Sequence, residues 1–279
     1  MLYVENLSKS LPNGRVLLDR VSFSVKPGEF VGILGASGAG KSLTLRCVLG
    51  LTRPDSGRAR LVTSNGTEFD LTGASGRRLR EARRRMGVIF QGFHLVKRLR
   101  VLDNVMIGRL GEISPWRSWF YGFTDREAAG AFEALRCVKM ESCAERVTGT
   151  LSGGEMQRVA IARAMFQQPE LFLADEPIAS LDPSNSLAIM KLLRPLAAAT
   201  PVVGVFHQPE MTARFCTRVI AIKHGRIIYD GAPELSHAKL EEIYGNELME
   251  VLRPAPVAPA PAPSPEPAHS AGLELAKLA

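Results

Sequence analysis

Eight residues do most to restrict what this chain can fold into: Gly35, Ala36, Ser37, Gly38, Ala39, Gly40, Lys41 and Ser42. They follow residues 30–34, an apolar run without alternation that reads as a strand buried on both faces. Residues 43–49 come next as a helix, stopped by Gly50. A GxxxxGK(S/T) loop between a buried strand and a helix is the setting in which backbone cradles phosphate. Glycines let the chain curl so that successive N–H groups converge on phosphate oxygens, and the helix adds the positive end of its dipole. Lys41 is then placed to reach the β- and γ-phosphates, and the Ser42 hydroxyl to coordinate Mg²⁺. The expected fold is α/β, a P-loop core whose strands end at the ligand.

Two more buried strands are expected, at 171–174 and 202–206, and Val21, Phe23 and Val25 alternate with serines as a half-buried strand does. The 171–174 strand runs into Asp175 and Glu176. By itself such an ending is usually a solvated strand end. With the phosphate loop upstream, Asp175 suits a Mg²⁺ site and Glu176 suits orienting or deprotonating an attacking water. Helices are expected at 153–168 and 184–199, the second kinked or broken by Pro195. No strand pattern is visible from about 93 to 149. Residues 101–110 and 126–139 read as amphipathic helices, and Thr124 with Glu127 and Ser142 with Glu145 have capping-box spacing. A helical subdomain, about 93–150, is therefore expected inside the strand-helix core.

Composition excludes several classes. The chain has 279 residues, 46% of them hydrophobic, enough for a large α/β core. Its net charge of +7 is local: residues 77–100 hold nine basic side chains against Glu81. No aromatic residue interleaves the arginines of 77–85, so they read as a solvated helix face, with anionic lipid headgroups as a secondary contact and no nucleic acid as partner. Cys47, Cys137, Cys143 and Cys216 form no CxxC pair and are expected as reduced thiols, Cys47 and Cys216 within helices. Neither a secretion signal nor a spanning segment is expected. Seven of the 18 prolines fall between Pro254 and Pro267, so 253–279 reads as a disordered tail beside a folded unit at 1–252.

One further motif decides between P-loop families. Leu151, Ser152, Gly153, Gly154 and Glu155 open the 153–168 helix, which could be a plain N-cap or a second anion site. Taken with the phosphate loop, Gln91 after Val88 to Phe90, the acidic pair, Ser180 to Asp182, and His207, in this order, the chain strongly resembles the ATP-binding-cassette (ABC) ATPases. The resemblance covers about residues 1–244. It implies a RecA-like core with an inserted helical subdomain and an antiparallel β-subdomain. It also implies ATP and Mg²⁺ as cofactors, with Gln91 touching the metal or the attacking water and His207 the γ-phosphate. Asp182 would lie at a dimer interface, and Ser152, Gly153 and Gly154 would contact ATP held by a second copy, so that two chains sandwich two nucleotides. The resemblance further implies an integral-membrane permease, an extracytoplasmic substrate-binding protein as indirect partner, and a peripheral place on the cytoplasmic face of the inner membrane. Leu11 stands where the family usually has an adenine-stacking aromatic, Leu43 where Thr is common, and Glu155 where Gln is frequent.

Within that family the absence of sustained heptads argues against chromosome-maintenance ATPases. A single cassette argues against tandem translation-associated ATPases, and the lack of spanning helices against half-exporters. An importer subunit remains, with an export or lipid-handling system as rival. The cassette does not touch the transported substrate, so resemblance alone guides that choice. Leu7 to Lys9 with Pro12 to Gly14, Phe93 to Val96, Gly108 to Leu110, Trp116 to Ser118 and Asp175 to Pro183 are similar to phosphonate-importer ATPases. A phosphite-like oxyanion or a polar amino acid are the alternatives.

Overall fold

The computed structural model describes residues 1–113 and 122–247. Trp116 to Ser118 and the proline-rich segment 253–279 lie outside the described residues. The chain opens with β1 (Leu2–Ser10), β2 (Val16–Val25) and β3 (Phe30–Leu34), followed by α1 (Lys41–Val48), β4 (Ser56–Val62), β5 (Glu68–Asp70), α2 (Gly76–Arg84) and β6 (Met86–Ile89). A helical stretch comes next: α3 (Val101–Met106) running into a 3₁₀ turn (Ile107–Glu112), α4 (Asp125–Cys137) and α5 (Gly153–Phe166). Alternation then resumes with β7 (Leu171–Asp175), α6 (Pro183–Leu196), β8 (Val202–Val205), α7 (Pro209–Phe215), β9 (Arg218–Lys223), β10 (Arg226–Gly231) and α8 (His237–Tyr244), and a 3₁₀ turn (Gly245–Glu247) follows.

Two sheets result. One is antiparallel, in the order β2-β1-β4-β5; the other runs β10-β9-β3-β8-β7-β6, parallel except for its edge strand β10. Residues alternate across the parallel sheet and divide the core between its faces. Phe30, Leu34, Phe172 and Ala174 join the cluster built with α5, α6 and the helical subdomain, while Val31, Ile33, Leu171 and Leu173 join the one built with α1 and the antiparallel sheet. A sheet buried on both faces explains why these strands read as continuous apolar runs.

The antiparallel sheet leaves a weaker pattern in the sequence. β1 carries Asn6 at φ +50°, and its pairing with β2 shifts register between Val4 and Leu7, so strict alternation is lost. Among the described residues of the helical stretch no strand forms, only the isolated bridge of Arg100 with Val147. Thr124 caps α4 in a reciprocal box with Glu127, as its spacing predicts. Ser142 and Glu145 form none: a 3₁₀ turn, Glu141–Cys143, starts from Met140 and places Ser142 inside it. Pro195 does not split α6; it occupies the last turn, and the helix ends one residue later, at Leu196, rather than at 199. Cys47 lies in α1, but Cys216 follows α7 in extended conformation. Arg77, Arg78, Arg80, Arg84 and Arg85 are exposed as expected. Arg83 instead turns inward and donates to the carbonyls of Leu49 and Gly50, both at 2.9 Å.

Candidate nucleotide site

The parallel order β3-β8-β7-β6 brings four strand ends to one edge of the sheet. The loop Gly35 to Gly40 leaves β3, His207 lies two residues beyond β8, Asp175 ends β7, and Gln91 lies two residues beyond β6. Residues separated by up to 172 positions thus meet because parallel strands share a direction. Gly35 is required where the loop passes β9: a Cβ there would lie 2.2 Å from the Ile222 carbonyl oxygen. Gly40 takes the left-handed N-cap position of α1.

Lys41 is buried, and its Nζ donates to the carbonyls of Gly35 at 2.6 Å and Ala36 at 2.8 Å. Burial pulls its pKa below the ordinary lysine range, while Glu176, Glu247 and Asp175 pull the other way. The loop's attraction for anions is visible within the chain itself. Glu247, in the 3₁₀ turn after α8, accepts a hydrogen bond from the Ser37 backbone N–H at 3.0 Å. Nothing in the sequence around Glu247 signalled that contact.

Ser42 Oγ donates to Asp175 Oδ1 at 2.7 Å. A hydroxyl and a carboxylate side by side are hard oxygen donors of the kind Mg²⁺ takes, alongside water and phosphate oxygens. Among the described residues no cluster of three or more His, Cys, Asp or Glu exists that would suit a protein-only metal cage. The donor set fits Mg²⁺ held jointly with a phosphate ligand. Beyond it, Glu176 sits at φ +52°, with its N–H on the Val205 carbonyl at 3.2 Å. Its carboxylate is bracketed: Gln91 Nε2 donates to Oε2 at 2.8 Å, and His207 Nε2 lies 2.8 Å from Oε1. Lys41, Ser42, Gln91, Asp175, Glu176 and His207 therefore form one constellation.

Ser152, Gly153, Gly154 and Asp182 form a second. Ser152 caps α5 reciprocally with Glu155, whose carboxylate its backbone and hydroxyl bonds hold below the ordinary glutamate range. A Cβ on Gly154 would come within 2.8 Å of the Asn185 side chain, which donates to Asp182 Oδ2 at 2.6 Å. Asp182 itself caps α6, accepting from the N–H groups of Ser184 and Asn185 at 3.0 Å each. Among the described residues no hydrogen bond or ion pair links this group to the phosphate-loop constellation. Leu11 is exposed, at the turn joining β1 and β2.

Comparison with known proteins supplies the deciding observation: residues 18–179 match the family model described as "ABC transporter". The chain belongs to the ABC transporter family, as an ATP-binding protein. This ABC ATPase is 42% identical over 258 residues to the phosphonates import ATP-binding protein PhnC 2 of Synechococcus sp., covering 91% of this chain and 94% of that one. It is 43% identical over 249 residues to the phosphonates import ATP-binding protein PhnC of Nitratidesulfovibrio vulgaris, covering 88% of this chain and 92% of that one. Among solved structures, the dimeric bacterial ABC transporter cassette MJ0796 matches with a TM-score of 0.70 at 30% identity, covering 85% of this chain and all of the other. The ADP form of the cassette MJ1267 matches at 0.73 and 26% identity. The architecture is the ABC cassette: a P-loop core, an antiparallel β-subdomain and a helical insertion. Its activity is ATP hydrolysis coupled to transport. Among the described residues no helix is long and apolar enough to cross a membrane.

Proposed function

We propose that this ABC ATPase powers uptake of phosphonates as a peripheral subunit on the cytoplasmic face of the inner membrane. Its partners in this reading are a second copy of itself, an integral-membrane permease and, indirectly, an extracytoplasmic binding protein. The observation that carries the reading is the span of its likeness to phosphonate import proteins: some 42% identity across about nine tenths of both chains, in relatives from several organisms.

In the proposed mechanism the backbone from Gly35 to Gly40, with Ala36, Ser37, Gly38 and Ala39 between, wraps the nucleotide phosphates. Lys41 leaves its two carbonyl partners to neutralise them. Ser42, Asp175 and Gln91 are the residues that would hold Mg²⁺, which would supply charge neutralisation at the phosphates. Glu176 takes a proton from the attacking water, with Gln91 and His207 fixing its two oxygens for that task. Ser152, Gly153 and Gly154 of one copy, with Asp182 beside them, close over the nucleotide of the other. The positive end of α5 then completes charge neutralisation only in the closed dimer. Binding closes the pair and hydrolysis reopens it, a two-state shift driven by differential affinity for the ligand.

The substrate is tested in a bacterial strain deleted for its own phosphonate-import ATPase. Co-expression of this chain with the permease and binding protein of its own system should restore growth on methylphosphonate as sole phosphorus source, and the Lys41→Ala variant should not. Restored uptake of phosphite or of a polar amino acid, with none of methylphosphonate, contradicts the assignment.

A further inference from the structure

Gln91 is useful only while its loop holds it against Glu176, and that loop is strained. Phe93 and His94, two and three residues further on, have φ of +60° and +47°, a region that residues with side chains avoid. The carbonyls of both converge on a single group. Arg163 donates from one guanidinium nitrogen to His94 O at 2.7 Å and from the other to Phe93 O at 3.0 Å. Arg163 lies in α5, eleven positions after Ser152, on the helix that the signature turn opens.

Among the described residues no carboxylate pairs with Arg163, and burial pulls its pKa below the usual arginine range. A half-buried guanidinium answered by neutral carbonyls is costly. So are two consecutive left-handed residues. The two hydrogen bonds offset both costs at one place, because the planar fork can reach both carbonyls only while the turn keeps its strained shape. The backbone at Arg163 is itself closely packed: a Cβ on Gly108 would lie 2.5 Å from the Arg163 carbonyl oxygen. The glutamine loop is thus gripped by α5 near the helix's end.

We propose that Arg163 is a positioning residue for hydrolysis: its two-pronged hold on the Phe93 and His94 carbonyls fixes the Gln91 loop to the signature helix, so that the Gln91–Glu176 contact follows the position of Ser152. The inference rests on the roles given above to Gln91 and Glu176. It makes α5 a rigid link between the two half-sites that the dimer brings together.

Steady-state ATP hydrolysis by the full chain tests it, with melting temperature measured in parallel and Glu176→Gln as reference. Arg163→Gln should lower kcat about tenfold or more while KM for ATP stays within about threefold, because the phosphate loop is untouched. Arg163→Lys, a point donor able to serve one carbonyl, should recover part of the loss. Adding His94→Gly to Arg163→Gln should also recover part, since glycine holds a positive φ without a clamp. Unchanged kcat in Arg163→Gln, beside an inactive Glu176→Gln, overturns the role of Arg163 alone. Full activity in Glu176→Gln overturns the site assignment beneath it. Parallel loss of kcat and melting temperature, with no gain from His94→Gly, reduces Arg163 to packing. If Arg163→Gln does not fold, wild-type kcat in Arg163→Lys overturns the proposal.

Discussion

Single residues in this molecule hold two positions at once. Asp182, read from the sequence as an interface aspartate, is in the free chain a helix cap whose two oxygens accept four hydrogen bonds from Ser184 and Asn185. Those bonds, led by the Ser184 hydroxyl, hold its pKa well below the ordinary aspartate value. The sign follows from linkage: a carboxylate depressed in the folded state contributes stability that is complete above its unfolded pKa and fades as pH falls below it. Asp182→Asn keeps a capping side chain but lacks the charge. Its melting temperature should lie below wild type at pH 7, and the gap should shrink at pH 3, followed by circular dichroism. A gap that is constant with pH would show that the charge contributes nothing. The phosphate loop, Asp175 and Glu176 can be read from the sequence because each stands where an apolar run stops, and the Ser152 turn because it opens a helix. Arg163 and Glu247 cannot, because their partners are backbone groups 69 and 210 positions away.

At the scale of elements, what could be read depended on how burial is distributed. β3, β7 and β8 are covered on both faces and leave unbroken apolar runs. β1, β4 and β5 pair in a sheet with exposed residues and register shifts, and charged residues such as Arg58 and Arg60 fall within it. Capping boxes were legible only in part: Thr124–Glu127 meets a helix of 13 residues, whereas Ser142–Glu145 meets a single 3₁₀ turn. The helical insertion is held by apolar contacts among α3, α4 and α5 and by Asn104, which is buried and bonds Val96 and Thr148. Leu135 of α4 is fully buried in that cluster. Leu135→Ala should cost about 2–5 kcal/mol of stability by urea unfolding. Loss below about 1 kcal/mol would mean that α4 is not packed as the structure has it.

For the whole molecule, the decisive feature is a division. The phosphate loop, Ser42, Asp175, Glu176, Gln91 and His207 form one connected group, and Ser152, Gly154, Asn185 and Asp182 another. Among the described residues no hydrogen bond or ion pair joins members of the two groups directly; the tie between them runs through Arg163 and the Phe93 and His94 carbonyls. In the proposed mechanism a site split in this way is completed by a second copy, with ATP neutralising both halves. The core claim is therefore about association. Glu176→Gln, which retains the shape of the site but not its base, should behave as a monomer alone and become a dimer with saturating Mg-ATP, measured by sedimentation velocity. A persistent monomer under saturating nucleotide, with binding itself intact, would contradict the account.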